Sequence, residues 1–259
     1  MPVLRRVAVS RYVTPLREGG SLPAIVEADD DGLYVLKFRG AGQGPNALIA
    51  ELVSGEIARA LGLPVPEIVF AGLDADLART EPDPEIFALL RASAGLNLAL
   101  DYLPWSVMFD PVVEQPGAEL ASRIVWFDAY VTNVDRTARN TNMLMWHRRL
   151  WLIDHGATLY FHHAQSWPSE AARPGERFPL VKHHVLLRAA SLLEEVDAAM
   201  AAALTPEVIA GIVGLIPDRW LGEGSSAADG DRYRAAYRGY LLDRLAAPRA
   251  FVDEAVHAR

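Results

Sequence analysis

Residues 133–156 of the chain read NVDRTARNTNMLMWHRRLWLIDHG and concentrate its most informative side chains. Asp135 and Asn140 stand five positions apart in a polar loop, after a stretch with apolar residues at helical spacing. Two short apolar runs follow, and the polar residues between them predict a β-hairpin that ends at Asp154. A hairpin of this length folds Asp154 back beside the loop. The sequence therefore predicts two carboxylates and one amide close together in space.

A lysine stands on a predicted strand upstream of this segment. The strand covers 33–38 and follows a turn cluster at 29–32. Since side chains alternate between the two faces of a strand, Val35 and Lys37 share one face, and Lys37 emerges from an apolar sheet surface. Lys37 and Lys182 are the only lysines among the 25 basic residues. Because lysine is a compact point charge and arginine a planar fork, this choice singles out Lys37 as a candidate functional residue.

The helix predicted after this strand carries a candidate partner for the lysine. Asn46 is its expected N-cap and Gly62 its expected C-terminal stop. Glu51 is placed to form an ion pair with Lys37. Glu56 lies on the same helix, and either carboxylate can instead be a solvated surface group. We favour Glu51 as the partner.

The order of elements along the chain predicts an α+β, bilobal fold. The first lobe, residues 1–103, is small and β-rich with one main helix, and a hinge is expected near 98–104. The second lobe, residues 104–259, is larger and mainly helical, and helical character is expected from residue 105 onward. Ligand sites favour the clefts between such lobes. The predicted strands cover 6–13, 22–28, 33–38 and 67–73, an extended segment covers 97–103, and the predicted helices cover 46–61, 83–93, 120–133, 182–204, 205–216 and 232–245.

Composition limits the classes of function. The chain has 259 residues, a formal net charge of −8 and a pI near 5.4, which argue against general binding to nucleic acids or anionic membranes. It contains no cysteine, so disulfides, thiolate metal sites and cysteine nucleophiles are excluded together. No apolar run reaches about 18 residues, and the first residues lack the apolar stretch of a signal peptide. A soluble cytoplasmic protein is the expectation.

The predicted cluster meets the requirements for transfer of a phosphoryl group from ATP. The transferred group carries several negative charges, so its site needs metal ligands, a cation near the phosphates and a carboxylate beside the acceptor hydroxyl. Asp135, Asn140, Asp154 and Lys37 supply these groups. Carboxylate and amide oxygens suit Mg²⁺, which keeps water and phosphate oxygens for its remaining positions.

Over residues 33–159 the chain resembles the HipA-like kinases, a bacterial branch of the protein-kinase-like and phosphoinositide-kinase-like superfamily. The resemblance implies a bilobal protein-kinase-like fold, use of ATP and Mg²⁺, and an acceptor that bears a hydroxyl group. Four motifs carry it: the strand VLKF at 35–38, the helix end LGLPVP at 61–66, the loop DRTARN at 135–140, and IDHG at 153–156.

The resemblance also implies a role for each matching residue. Lys37 would contact the α- and β-phosphates, and Glu51 would orient Lys37. Asp135 would be the catalytic base, Asn140 a metal ligand, and Asp154 the main ligand of Mg²⁺. The implied nucleotide contacts further include the hinge residues Leu100, Asp101, Tyr102 and Leu103, which offer backbone groups to adenine, and the loop residues Gly19, Gly20 and Ser21 at the phosphates.

Four features depart from better-known kinases. The loop Glu18-Gly19-Gly20-Ser21 lacks the G-x-G-x-x-G pattern. Asn133-Val134 stands where eukaryotic-type kinases have His-Arg before the base, and His155 stands where they have Phe. The chain also leaves no room for the extra N-terminal module of the longer HipA toxins, so toxin–antitoxin behaviour is not expected.

Three interpretations of the function stay open. A serine or threonine hydroxyl of a protein is the expected acceptor. A small-molecule acceptor, as in the similar aminoglycoside kinases, would need an acidic pocket built from the helical lobe. The third interpretation is a pseudokinase that binds nucleotide or a partner without turnover. The sparse glycine loop favours it, whereas the intact Lys37, Asp135, Asn140 and Asp154 oppose it.

Two further groups of side chains have alternative interpretations. Arg136 and Arg139 either neutralise a phosphate or are solvated loop residues. The histidine pairs at 162–163 and 183–184 are adjacent in sequence, so their side chains point apart on a regular helix or strand. Neither pair is therefore expected to chelate a metal, and surface positions are expected for all four.

Overall fold

The N-terminal part of the protein is a closed, five-stranded β-barrel. The computed structural model describes residues 3–16, 22–42, 44–164, 167–168, 173–221 and 227–259. The strands follow the order β1-β2-β3-β5-β4 around the barrel, and β1 closes it by pairing in parallel with β4. Their bounds are β1 Arg6–Pro15, β2 Ala24–Ala28, β3 Leu33–Lys37, β4 Ile68–Leu73 and β5 Gly95–Asp101.

Alternation along β3 orients the lysine as the sequence predicts. Tyr34 and Leu36 are buried inside the barrel, whereas Val35 and Lys37 face outward. The strand pairs antiparallel with β5, with Lys37 opposite Leu98. Lys37 therefore emerges from an apolar sheet surface beside the strand that continues into the expected hinge.

The first helix, α1 (Pro45–Ala60), is buried on every side from residue 48 to residue 58. A helix surrounded in this way packs against several layers at once. It begins after Gly44, whose φ of 66° and ψ of −150° suit glycine, so the prediction of Asn46 as N-cap is wrong. The Asn46 side chain instead donates to the carbonyl oxygen of His162. Gly62 follows the helix with a φ of 69°, which confirms the predicted stop.

The remaining elements make the C-terminal part mainly helical. A short three-stranded sheet, in the order β6-β7-β8, lies between the barrel and the helices. The bounds are α2 Pro84–Ala92, β6 Val107–Met108, α3 Ala118–Tyr130, β7 Met143–Trp146, β8 Arg149–Leu152, α4 Leu193–Ala203, α5 Pro206–Val213, α6 Ala227–Leu245 and α7 Ala250–Ala258.

Two predictions about these elements are wrong. The helix expected at 182–204 begins only at Leu193, because two 3₁₀ turns, Pro179–His183 and Leu187–Ala189, precede it. His184 contributes to this interruption, since its Nδ1 accepts the backbone N–H of Leu186 at 3.0 Å. The helical character expected from residue 105 is also interrupted, because β6 pairs there with β7.

Two groups of apolar side chains form the core. The smaller group fills the barrel. The larger group joins α1, α3, the β7–β8 hairpin and the C-terminal helices. This larger group contains Ile49 and Ile57 from α1 together with Ile124 from α3. Helix α1, which lies between β3 and β4 in the sequence, therefore packs into the same core as the C-terminal helices. This arrangement confirms the predicted α+β fold class.

Membrane-spanning potential is low along the described ranges. None of their helices is, by itself, long and apolar enough to cross a bilayer. The bent pair of α4 and α5, which meet at 69°, reaches the required length and apolar content only when the two helices are taken together.

Candidate active site

A cleft between the barrel and the β7–β8 hairpin has a volume of about 740 Å³. Its walls carry apolar side chains from both parts, Val35 and Leu100 from the barrel and Leu144 and Ile153 from the hairpin region. Its charged side chains are Lys37 on β3, Asp101 at the end of β5, Arg139 in the 133–142 loop and Asp154 after β8. The lining residues are Pro15, Leu16, Pro23, Val35, Lys37, Pro66, Leu100, Asp101, Tyr102, Leu103, Ser106, Met108, Arg139, Asn140, Asn142, Leu144, Ile153 and Asp154.

The four residues of the expected hinge all line this cleft. Two of their backbone amides already have partners within the fold. The N–H of Asp101 donates to the carbonyl oxygen of Glu67 at 2.8 Å, and that of Tyr102 donates to Leu33 at 3.0 Å. The segment is therefore held in place by both neighbouring strands. The expected loop residues Gly19, Gly20 and Ser21 lie outside the described residues.

Lys37 and its two carboxylate neighbours join the barrel to the rest of the site. Its Nζ lies 2.7 Å from Asp154 Oδ1 and 3.7 Å from Glu51 Oε2. Glu51 is buried, and it also accepts the backbone N–H of His155 at 2.9 Å and contacts His155 Nδ1 at 3.3 Å. One carboxylate thus connects β3, α1 and the residue that follows Asp154. Glu56 pairs with Arg59 on the same helix instead, at 3.2 Å.

The charges in this group stabilise one another. Burial acts to lower the pKa of Lys37, but the carboxylates of Glu51 and Asp154 outweigh it, and the pKa lies above its ordinary value. Burial acts to raise the pKa of Glu51, but the Lys37 ammonium and the contacts with His155 outweigh it and lower the pKa. Both groups are therefore charged at neutral pH.

The loop after α3 folds around Asp135. The side-chain amides of Asn140 and Asn142 both donate to Asp135 Oδ2, at 2.7 and 3.2 Å. Thr137 closes the loop, since its backbone N–H donates to the carbonyl oxygens of Asp135 and Asn140, each at 2.9 Å. Among the described residues no donor contacts Asp135 Oδ1, so that oxygen can accept a proton from a bound group.

Asn142 is a cleft residue that sequence reasoning missed. It lines the cleft beside Asn140. Its φ is 46°, and that of Asp154, another cleft residue, is 56°. Asn and Asp adopt this left-handed conformation at lower cost than other residues with a side chain. The repeated Asn in the run Asn140-Thr141-Asn142 was the available signal.

The two loop arginines have different surroundings. Arg136 is buried, and its Nε donates to Asp128 Oδ2 at 2.6 Å, so it cannot neutralise a phosphate in the cleft. Burial acts to raise the pKa of Asp128, but Arg136 and His184 outweigh it and hold the pKa far below its usual range. Arg139 is exposed and lines the cleft. Of the two loop arginines, only Arg139 is therefore placed to neutralise a phosphate.

The expectation of four surface histidines is wrong for two of them. His184 is buried against Asp128, and His162 is buried with its Nδ1 2.9 Å from the Tyr237 hydroxyl. His162 Nε2 also lies 3.2 Å from His163 Nε2, because the pair sits in a 3₁₀ turn that lets the two rings meet. In the described part of the chain, no group of three or more His, Cys, Asp or Glu side chains is arranged to hold a metal.

Burial of His162 predicts a loss of stability in mild acid. Burial and the neighbouring His163 lower the pKa of His162 from 6.5 to about 3. Between these values the unfolded chain binds a proton that the folded chain does not, so stability falls as the pH decreases. The expected loss between pH 6.5 and pH 5 is about 1.6 kcal/mol, measured by urea unfolding.

Two variants isolate this contribution. His162→Gln should lack it, whereas the exposed His257→Gln should retain the pH dependence of the wild type. Equal pH dependence in the wild type and His162→Gln would contradict the assignment.

Asp154 and Asn140 are the residues whose chemistry fits a divalent cation. The Asp154 side chain is 43% exposed toward the cleft. Asn140 uses its amide nitrogen on Asp135, which leaves its oxygen for another partner. Hard oxygen donors of this kind suit Mg²⁺ or Mn²⁺, which take few protein ligands. The cluster can therefore hold a metal together with the phosphates of a nucleotide.

Solved structures share the fold of the chain at low sequence identity. CtkA, a proinflammatory kinase of Helicobacter pylori, is 12% identical, with a TM-score of 0.53 over 99% of this chain and 98% of that chain. A Golgi casein kinase with Mn/ADP bound is 10% identical, with a TM-score of 0.55 over 100% of this chain and 74% of that chain. These likenesses confirm the protein-kinase-like fold. A comparison with curated protein sequences gives no significant match.

The family comparison covers nearly the whole molecule. A family model described as HipA-like kinase matches residues 9–244. The matched range contains the barrel from within β1 onward, the complete cleft and most of the C-terminal helices. The sequence resemblance, the fold and this match agree, and the chain belongs to the HipA-like kinase family.

Proposed function

We propose that the protein is an ATP- and Mg²⁺-dependent phosphotransferase that acts on a serine or threonine hydroxyl of a protein. The observation that carries the proposal is the meeting of Lys37, Asn140 and Asp154 in one cleft, with Asp135 held directly behind Asn140. The two structural neighbours support it, since both are kinases by name and one holds Mn and ADP. ATP as the donor agrees with the expected cytoplasmic location.

In this proposal the nucleotide lies between the two lobes. Residues 1–103 form the ATP-binding lobe, residues 104–259 the catalytic lobe, and 98–104 the hinge. The adenine would lie between the apolar walls formed by Val35 and Leu144. Because the amides of Asp101 and Tyr102 already donate within the fold, the backbone contact with the base would fall mainly to Leu103.

Asp135 performs the proton step in the proposed mechanism. Its Oδ2 is held by two amides, so Oδ1 faces the acceptor hydroxyl and accepts its proton. The hydroxyl oxygen bonds to the γ-phosphorus while the bond from that phosphorus to the β–γ bridging oxygen breaks, and ADP leaves. A metal held by Asp154 and Asn140 would offset charge on the phosphate oxygens. Lys37 and Arg139 supply further positive charge.

The charges of the cleft favour a protein hydroxyl over a cationic small molecule. An aminoglycoside-like acceptor needs an acidic pocket, but among the described residues the carboxylates that line the cleft are Asp101, at the expected hinge, and Asp154, which pairs with Lys37. Arg139 adds a cation on the same side. A protein acceptor needs no such acidic enclosure.

The direct test is transfer of ³²P from [γ-³²P]ATP. We expect Mg²⁺-dependent label on a protein or peptide acceptor, and no label on kanamycin. Label on kanamycin alone would establish the small-molecule interpretation. Saturable ADP binding without any transfer or ATP hydrolysis would establish the pseudokinase interpretation.

The ion pair between Lys37 and Asp154 predicts how metal and nucleotide bind. Without nucleotide, the ammonium already neutralises Asp154 Oδ1 at 2.7 Å, so a divalent cation must compete with it. The phosphates of a nucleotide attract Lys37 and add their own oxygens to the metal site. We expect ADP to raise the affinity for Mn²⁺ by about 100-fold, as measured by electron paramagnetic resonance of free Mn²⁺.

Variants of Lys37 test this competition. Lys37→Met should raise the nucleotide-free affinity for Mn²⁺ by about tenfold, the equivalent of about 1.4 kcal/mol, because the competing charge is gone. Lys37→Arg keeps a cation and should retain the low affinity of the wild type. Equal Mn²⁺ affinity in the wild type and Lys37→Met, both without ADP, would contradict the competition.

A further inference from the structure

Behind the loop that carries Asp135, one buried carboxylate accepts hydrogen bonds from three side chains. Asp128 lies near the end of α3, and its side chain is 1% exposed. Its Oδ1 accepts from Asn133 Nδ2 at 2.7 Å, and its Oδ2 accepts from Arg136 Nε at 2.6 Å and His184 Nε2 at 2.8 Å. We call these four residues the Asp128 cluster. None of them lines the cleft.

Asn133 connects the cluster to the candidate base. Its Oδ1 accepts the backbone N–H of Asp135 at 3.0 Å, while its Nδ2 donates to Asp128. Its own backbone N–H donates to the carbonyl oxygen of Asp128 at 2.8 Å. Asn133 therefore fixes the direction in which the chain leaves α3, two residues before the base.

Arg136 connects the same carboxylate to the two ends of the β7–β8 hairpin. Its Nη1 donates to the carbonyl oxygen of Asn142 and lies 3.5 Å from that of Ile153. Asn142 donates to Asp135 Oδ2, and Ile153 directly precedes Asp154. Asp128 thus holds, through Arg136, the backbone next to Asp135 and the backbone next to Asp154.

His184 holds the loop from a third direction, with a defined tautomer. The backbone N–H of Leu186 donates to His184 Nδ1 at 3.0 Å, so Nδ1 is an acceptor and Nε2 carries the proton given to Asp128. The loop is attached to this segment by backbone as well, since Val185 N–H donates to the carbonyl oxygen of Arg136 at 3.1 Å.

Stability alone does not explain a buried ionic cluster. Well-packed apolar side chains of similar volume often stabilise a fold as well or better, because burying charges costs desolvation free energy. Apolar packing cannot fix the orientation of individual backbone groups. Hydrogen bonds can, and here Asn133 and Arg136 each bind a backbone group of the site.

We propose that Asp128, acting through Asn133, is a positioning residue that sets the orientation of Asp135 for phosphoryl transfer. The inference rests on the proposed function. Because none of the cluster residues lines the cleft, loss of the Asn133 side chain should lower kcat and leave nucleotide binding unchanged.

Asn133→Ala is the first test, with ATP hydrolysis by water as the reaction. We expect kcat to fall by about 10- to 100-fold, because a small displacement of a reacting group costs that much. The KM for ATP and the Kd for ADP should stay within about twofold.

Asn97→Ala is the matched control for this variant. Asn97 is equally buried, and its amide binds three backbone groups of the barrel, Arg39 N–H, Ser93 C=O and Gly95 C=O. Removing the Asn97 amide should lower the free energy of unfolding but should not lower kcat by more than about threefold. If kcat fell equally in Asn133→Ala and Asn97→Ala, the Asp128 cluster would contribute only to stability, and the positioning proposal would be wrong.

His184 offers a test by rescue. His184→Leu removes the donor to Asp128 and should lower kcat by about tenfold, whereas His184→Gln keeps an N–H donor and should restore most of it. Equal kcat values for the two variants would overturn the role of this hydrogen bond.

Hydrogen–deuterium exchange tests the hold on the loop without any catalysis. Asn133→Ala should accelerate exchange in peptides covering 133–142 and leave α3 unchanged. Unchanged loop exchange would overturn the positioning proposal. A wild-type protein that neither transfers phosphate nor hydrolyses ATP would overturn the proposed function, and this exchange measurement would still decide how the loop is held.

Discussion

Asp135→Asn is expected to lower phosphoryl transfer from ATP by about 10²- to 10⁴-fold while the Kd for ADP stays within about threefold. The substitution keeps the volume of the side chain and an oxygen that can accept from Asn140 and Asn142. It removes the negative charge that, in the proposed mechanism, orients the acceptor hydroxyl and takes its proton. Initial rates with [γ-³²P]ATP, together with calorimetric titration of ADP, separate the two effects.

Two comparisons sharpen this result. Asp135→Ala should show an equal loss of transfer, because the lost group is the same carboxylate. A smaller loss in Asp135→Asn would mean that Asp135 acts through its hydrogen bonds rather than as a base. Transfer at the wild-type rate in either variant would refute the proposed mechanism.

Asp154→Ala should abolish the metal-dependent part of nucleotide binding. In the wild type, ADP with Mg²⁺ at ten times Kd should stabilise the fold by about 1.4 kcal/mol, or about 3–6 °C in a thermal-shift titration. The variant should lose the Mg²⁺-dependent part of this stabilisation, because the carboxylate nearest the expected metal position is gone. It also frees Lys37 from its 2.7 Å ion pair, so ADP without metal can still bind.

Glu56→Gln is the matched control for this measurement. It removes a carboxylate from α1 that pairs with Arg59 and does not line the cleft. In Glu56→Gln the Mg²⁺-dependent rise in melting temperature with ADP should be retained. An equal shift in Asp154→Ala and the wild type would place the metal on other residues, whereas no shift in the wild type would favour a site that does not bind nucleotide.

Local patterns along the sequence were sufficient to predict the main parts of the site. Alternation along β3 determines which side of the barrel Lys37 faces. A tight hairpin determines where Asp154 lies relative to Asp135, because few residues separate its two strands. Both arguments use periodicity or short loops, where the geometry of the chain leaves few alternatives. The resemblance to a known family added an expected role for each of these residues, and those roles stay predictions.

The parts that sequence reasoning missed depend on partners distant in sequence. Asp128 reads as a polar position in a helix, and only the approach of His184, 56 residues later, shows it to be a buried acceptor. Arg136 reads as a loop arginine for the same reason. The start of α4 was misplaced because His184 accepts a backbone N–H that a continuous helix would use. The strand β6 has only two residues, and it exists because β7 lies beside it.

The parallel pairing of β1 with β4 has a consequence for folding on the ribosome. Arg6 pairs with Phe70, and β5 joins β4 to β3, so the barrel cannot close until β5, at residues 95–101, has been synthesised. Until then the meander of the first three strands has two unpaired edges, and exposed edges invite pairing between chains. The edge of β1 is covered by β4 and the edge of β3 by β5, so the nascent chain is most prone to aggregation before these two strands emerge.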